Sequence, residues 1–308
     1  MFVVCGEALM DVFAAGDTPT GVSLDARVGG SPFNVAVGLS RLGQPSAFLG
    51  GVASGFLGER LLRALREEGV DLRPVQRHDA PTTLSVVGLD AHGVPSYAFY
   101  GEGAADRLLS MQALEGLPAD ARCLQFGSYA MVVEPVASTL RALVQREHKQ
   151  RLIAYDPNVR LNVQPSVQHW RDALAWMLAH THLLKISEED AELLFPGTAL
   201  DHLAAGWLEQ GVALVVITRG GKGAFACNTS ARASVEAHPV ALVDTVGAGD
   251  TFQAALLTWL AERNALSAEA LRSLDARALN EALDFAGRAA AITCSRRGAD
   301  LPRRAELA

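Results

Sequence analysis

Apolar residues follow two rhythms along this chain. Short, nearly continuous runs stand at Phe2–Cys5, Ala47–Gly50, Cys123–Phe126, Leu152–Tyr155, His182–Ile186 and Val212–Thr218. Runs of that length read as strands buried on both faces. Between them, apolar residues return at spacings of three and four, which gathers them on one side of a helix. Leu57, Leu61 and Leu65 make one such stripe, and Gly69 follows where a helix-closing residue is expected. Val136, Leu140 and Val144 make a second; Phe252, Leu256, Trp259 and Leu260 make a third. Strands alternating with helices in this way predict a mostly parallel sheet with helices on both faces. No internal repeat, low-complexity tract or linker cuts the chain, so one domain over residues 1–308 is expected.

Two segments, at about 11–28 and 81–103, leave this rhythm. They contain turn formers (Gly16-Asp17-Thr18-Pro19, Ala91-His92-Gly93) and alternating residues but no helix signal. Thr82–Leu89 and Ser96–Tyr100 read as a hairpin. Because both segments depart from the α/β body and rejoin it, they predict a small β lid built from separated pieces. The plainer reading is a pair of surface loops with some β character. A lid matters because it excludes water and commits a substrate.

Composition narrows the class. The 308 residues hold 27 Lys and Arg against 34 Asp and Glu, a formal charge of −7. Such a balance offers no basic face for nucleic acid or an anionic membrane as the main partner. No apolar stretch approaches the roughly 18 residues of a membrane span. The start of the chain lacks a basic n-region and Glu7 interrupts its apolar run, so a cytoplasmic enzyme is expected. Cys5, Cys123, Cys227 and Cys294 are far apart and form no CxxC pair, which favours scattered buried thiols over zinc or disulfides. The eight histidines show no metal-like spacing, and His78, His92 and His238 read as surface residues.

Chemistry concentrates in a few stretches. Asp244-Thr245-Val246-Gly247-Ala248-Gly249-Asp250-Thr251-Phe252 follows the apolar run Val240–Val243 and opens the helix that contains Trp259. Gly247 and Gly249 allow a sharp turn and close approach of a ligand. Free amides at the helix start then make an anion site. Asp250, in the first turn, could take a proton from a hydroxyl while the amides hold a phosphoryl group. The plainer reading is that this carboxylate only complements the helix dipole.

A second stretch, Gly29-Gly30-Ser31-Pro32-Phe33-Asn34-Val35-Ala36, announces another helix, with Ser31 read as N-cap and Pro32 as its first residue. Capping explains those two residues, but not two glycines and an asparagine on one turn; these suit a polyol lying close to the backbone. Asp11 follows the first strand, where open α/β sheets place ligands, although a lone loop aspartate is more often a turn acid.

Together these stretches resemble the ribokinase-like (PfkB-type) carbohydrate kinase family over essentially the whole chain. Gly29–Gly43 looks like the family's N-terminal motif, and Asp244–Asp250 matches its DTxGAGD motif letter for letter. Gly6–Asp11, Asp156-Pro157-Asn158-Val159-Arg160 and Lys185-Ile186-Ser187-Glu188-Glu189-Asp190 look most like the fructokinase branch. The resemblance implies a three-layer α/β/α fold and phosphate transfer from ATP to a small sugar, fructose above others. It implies Asp250 as general base, with the amides of Gly247, Ala248 and Gly249 as the anion hole. Asp11, Gly30 and Asn34 would bind sugar hydroxyls. Arg160 would face phosphates or sugar, or else make a structural salt bridge. Lys185, Thr218, Gly220, Gly223 and Gly287 would lie on the nucleotide side. Ser187 and Asp190 stand at the family's Asn-x-x-Glu positions, which act through magnesium waters, although helix capping alone also favours those residue types. A potassium ion beside Asp244 and a homodimer formed through the lid are further implications.

Two departures bear on the acceptor. Relatives usually carry Arg after the lid's aromatic pair, whereas Phe99-Tyr100 is followed here by Gly101-Glu102, which favours a neutral sugar. Gly287 stands where relatives usually have Asn beside the adenine pocket. Within the family, a 2-keto-3-deoxygluconate kinase or a nucleoside kinase is the alternative. Outside it, the alternative is a sugar-binding regulatory protein without turnover. A nicotinamide-dependent dehydrogenase is disfavoured because no GxGxxG follows the first strand.

Overall fold

A computed structural model describes residues 1–89 and 95–307. The chain opens with β1 (Phe2–Cys5), β2 (Leu9–Thr18), β3 (Gly21–Gly29), α1 (Ser31–Arg41), β4 (Ser46–Leu49), β5 (Gly51–Ala53), α2 (Phe56–Glu67) and β6 (Gln76–His78). It continues through β7 (Leu84–Leu89), β8 (Pro95–Tyr100), β9 (Cys123–Gly127), α3 (Val136–Glu147), β10 (Leu152–Asp156), α4 (Val167–Leu178), β11 (Leu183–Ser187) and α5 (Glu188–Leu194). It ends with α6 (Leu200–Glu209), β12 (Leu214–Thr218), β13 (Ala224–Cys227), β14 (Arg232–Val235), α7 (Ala248–Glu262), α8 (Ala268–Ser273) and α9 (Ala276–Cys294).

The central sheet has the order β14-β13-β12-β11-β10-β9-β1-β4. The strands from β4 to β12 in that order pair in parallel; β13 and β14 fold back antiparallel. Because side chains alternate across a strand, β1 feeds two cores. Phe2 and Val4 pack with residues of α1, α2, α7 and α9, whereas Val3 and Cys5 pack with those of α3, α4, α5 and α6. Three layers result, as the alternation of runs and stripes predicts. The expected strands shift by one or two residues at their ends. Cys5, Cys123 and Cys227 are buried free thiols and Cys294 is half-buried.

The segments that leave the helical rhythm form a separate small sheet in the order β3-β2-β7-β8. Hairpin β2–β3 and hairpin β7–β8 are each antiparallel, and β2 joins β7 in parallel. Register sets Asp11 opposite Ser85 and Ser85 opposite Phe99, so one face of the sheet carries all three. The turn joining β7 to β8, with His92, lies outside the described residues.

Several expectations need correction. Asp11 stands within β2, not in a loop. Gly30 rather than Ser31 is the N-cap of α1, at φ 106, which makes Ser31 the first helical residue and frees its hydroxyl for another partner. A side chain at Gly30 would also run into the Glu7 carbonyl at 2.8 Å. Val240–Val243, read as an apolar run, is no strand, and Leu242 and Val243 are exposed. His78 and His238 are half-buried: burial lowers the His78 pKa, and His238 Nε2 lies 3.1 Å from Asp284. Among the described residues no helix is long and apolar enough to cross a membrane.

Candidate active site

Five parallel strands of the central sheet deliver residues at their carboxyl ends, where such sheets leave a crevice. β1 delivers Gly6 and Glu7, β9 delivers Ser128 and Tyr129, β10 delivers Asp156, β11 delivers Ser187 and β12 delivers Thr218. Helices α1 and α7 start beside this edge and pack closely; a methyl group at Gly38 would stand 2.8 Å from the Ala254 methyl. That close approach brings their first turns together. Ser31 Oγ donates to Asp250 Oδ1 at 2.6 Å, and Asn34 Nδ2 donates to Oδ2 at 2.8 Å. This bond uses one of the two Asn34 amide donors. Burial raises the Asp250 pKa, while these two hydrogen bonds and the Lys185 charge pull it back.

The loop before α7 is a built anion cradle. Gly247 caps the helix in the left-handed conformation, φ 77, and its Cα faces Ala299 so closely that a Cβ would stand 2.6 Å from the Ala299 methyl. The Ala248 amide turns back to the Thr245 carbonyl at 3.2 Å. The helix itself offers no partner to the amides of Gly247 and Gly249. Asp244 holds the loop from both oxygens, accepting from the amides of Val246 at 3.1 Å and Gly298 at 2.8 Å. Its role here is that of a clamp.

Lys185 sits beneath the cradle. Its Nζ pairs with Asp156 Oδ2 at 2.7 Å, both side chains 5% exposed, and lies 3.2 Å from where a Cβ on Gly249 would be. Lys185, expected on the nucleotide side, is thus also the buried ion-pair partner of Asp156 beside the loop that opens α7. Asp156 Oδ1 is buried with no hydrogen-bond partner. Ser187 caps α5, accepting from the Asp190 amide at 2.9 Å, and Asp190 Oδ1 accepts from the Val159 amide at 3.1 Å. Burial and the neighbouring Asp156 push the Asp190 carboxyl up to about 6. Arg160 is exposed, makes no ion pair among the described residues, and turns Nη1 to the carbonyl of Val159 at 2.9 Å. Thr218 ends β12, Gly220 and Gly223 take positive φ in the turn after it, and Gly287 faces His238, whose Cδ2 would stand 3.3 Å from a Cβ there.

The structure also brings forward buried acids that the sequence did not single out. Glu7 is 1% exposed, its Oε2 has no partner, and burial pushes its carboxyl up to about 8. Asp106 is buried and accepts from Thr83 Oγ1 at 2.6 Å and from the Tyr129 hydroxyl at 2.9 Å. Asp11 lies directly against Gly29, which explains the first glycine of the pair. Gly101 proves crowded: a Cβ there would stand 2.6 Å from Thr83 Oγ1 and 2.7 Å from Arg107 Nη2. Arg107 thus places its guanidinium where a side chain at position 101 would begin. A buried acid beside a strand end is invisible in sequence, because only the fold shows that Glu7 points inward.

Backbone amides at a helix start, a carboxylate beside them and acid-lined strand ends are the parts of an α/β phosphotransferase. A family model described as pfkB family carbohydrate kinase matches residues 1–305. A fructokinase of Rhizobium leguminosarum bv. trifolii is 37% identical over 284 residues, covering 92% of this chain and 87% of that protein. The crystal structure of fructokinase from Vibrio cholerae O395 in its fructose, ADP and calcium ion bound form has a TM-score of 0.82 at 26% identity, covering 99% of this chain and 97% of that one. A fructokinase with bound ATP from Xylella fastidiosa shares the fold, with a TM-score of 0.88 at 24% identity over 99% and 96% of the two chains. The chain belongs to the pfkB family of carbohydrate kinases. It is a sugar kinase with the ribokinase-like fold.

Proposed function

We propose that this sugar kinase phosphorylates fructose from ATP in the cytoplasm, with Asp250 as general base. The observation that carries the reading is the Asp250 carboxylate, fixed through both oxygens by Ser31 and Asn34 beside the amides of Gly247 and Gly249. A base so placed takes the proton as the sugar oxygen attacks the γ-phosphate, and the amides stabilise the charge that gathers on the phosphoryl oxygens. Asp11, Gly30 and Asn34 would receive the sugar, Asn34 by sharing its donors with it. The fructokinase named among the relatives supports fructose as acceptor.

The site is rich in carboxylates, so an anionic nucleotide needs a cation with it. Hard oxygen donors suit magnesium, and no three acidic, histidine or cysteine side chains among the described residues are grouped to cage an ion. That fits an ion held mainly by phosphates and water. Ser187, Asp190 and the unpartnered Asp156 Oδ1 would hold its waters. When bound, magnesium neutralises charge on the phosphates and the leaving group. Lys185 keeps Asp156 oriented beneath the anion loop, and Arg160, Thr218, Gly220, Gly223 and Gly287 would border the nucleotide. A potassium ion would adjoin the loop that Asp244 clamps. The small sheet would act as the lid, with its exposed Val22, Leu24 and Tyr100 serving a homodimer.

A coupled ADP-release assay over fructose, ribose, 2-keto-3-deoxygluconate, adenosine and inosine tests the reading. Fructose should give the highest kcat/KM; a tenfold preference for another acceptor, by about 1.4 kcal/mol, overturns it.

A further inference from the structure

We infer that Arg107 binds the acceptor sugar, presenting its guanidinium on the face of the small sheet that carries Asp11. The inference rests on the acceptor site proposed above. Register alternation puts Asp11, Ser85 and Phe99 on one face of the sheet. Position 101, two residues beyond Phe99, continues that face, and its backbone looks at Thr83, two residues before Ser85. With glycine at 101 the space over this face is left to another side chain, and Arg107 takes it: Nη2 stands 2.7 Å from where a Cβ would be.

Arg107 comes from the short 3₁₀ turn Ala105–Arg107, with its guanidinium carbon 5.7 Å from the centre of the Tyr129 ring. The neighbouring carboxylate does not absorb it by hydrogen bonding, since Asp106 accepts from Thr83 through Oδ1 and from Tyr129 through Oδ2. Arg107 Nε is buried with no hydrogen-bond partner, a donor that the protein leaves unsatisfied. The neighbouring Asp106 is a carboxyl group, and so is Asp11 on the same face of the sheet. A polyol needs donors as well as acceptors around it, and the rigid fork of a guanidinium suits two neighbouring sugar oxygens.

The test compares wild type with Arg107→Ala and Arg107→Lys, using whichever sugar the wild type phosphorylates. Arg107→Ala should raise the acceptor KM by about tenfold or more, as expected for losing a charge-assisted hydrogen bond, with kcat and the ATP KM within about twofold. Arg107→Lys should fall between, and methylguanidinium added to Arg107→Ala should lower the acceptor KM again. Circular dichroism and a thermal midpoint show whether the variants fold. An unchanged acceptor KM in folded Arg107→Ala overturns the inference; so does a loss confined to kcat, or one that neither lysine nor methylguanidinium relieves. Should Arg107→Ala fail to fold, Arg107→Lys alone decides by the same KM shift. Wild-type turnover of fructose reports on the proposed acceptor, and the variant-to-wild-type ratio reports on Arg107, so the two fail separately.

Discussion

In the proposed site, the phosphate side would come from one continuous stretch, Asp244–Asp250, and work mainly through backbone. The acceptor side would draw Glu7, Asp11, Ser31, Asn34, Thr83, Asp106, Arg107 and Tyr129 from separated stretches and work through side chains. On the first side the binding groups are amides that any sequence possesses; what the sequence must specify is their conformation, through Gly247 and the Asp244 clamp. On the second side the residue types themselves are the binding groups, held by a buried hydrogen-bond network. A backbone cradle suits a phosphate whose shape is the same in every kinase reaction, whereas a side-chain wall can be altered one residue at a time to fit a different sugar.

The largest effect should come where the two sides meet. Asp250→Asn keeps the shape and removes the base, so kcat should fall by about a thousandfold, near the middle of what general-base groups contribute. Sugar binding, followed by calorimetry without nucleotide, should stay within about threefold. Retained turnover would show that the proton leaves by another route. Next in size, Gly247→Ala forces a side chain into the left-handed region and against Ala299, where a Cβ would stand at 2.6 Å. The loop must shift, and kcat should drop by about tenfold to a hundredfold while the acceptor KM holds. An equal rise in acceptor KM would mean that the two sides are not separable in this way.

The same contrast explains what the sequence disclosed. Strands such as Phe2–Cys5 and helix ends such as Gly69 were legible because periodicity and capping are local. The Asp244–Asp250 loop was legible for the same reason, since its ligands are neighbours in the chain. The acceptor wall was legible only in part, through Asp11, Gly30 and Asn34. Ser31 looked like a cap because cap residues and donors to a distant carboxylate are the same residue types; only the approach of α1 to α7 shows which role it plays. The pairing of Lys185 went unseen because its partner, Asp156, lies on the next strand. Gly101 looked like the loss of a cation because the guanidinium beside it comes from Arg107, in the turn that follows the strand.

A stability measurement sharpens the acceptor side further. The Glu7 carboxyl ordinarily titrates near 4.5, and burial pushes it up to about 8 in the folded chain. Between those values the folded state holds one proton more than the unfolded state. Stability from this group is therefore complete below about pH 4.5 and drains away as pH rises through about 8, a loss of roughly a few kcal/mol. Glu7→Gln is neutral at every pH, so the fall in urea midpoint between pH 5 and 8 should shrink. An unchanged slope would mean that Glu7 is charged and paired in solution.

The smallest effect lies at the contact between the sides, and it reads their coupling directly. Ser31 belongs to α1 on the acceptor side, yet its hydroxyl donates to Asp250 at 2.6 Å. Burial is the larger influence and raises the Asp250 pKa; the bonds from Ser31 and Asn34 lower it. Asp250 acts as a base only when deprotonated, so activity is lost as pH falls through its pKa. Ser31→Ala removes one lowering bond, which raises the pKa and moves the acidic limb of kcat/KM upward, by about half a pH unit. Well above the limb, kcat should stay within about threefold of wild type. A limb that stays in place would mean that α1 positions the sugar without tuning the base, leaving backbone cradle and side-chain wall joined by geometry alone.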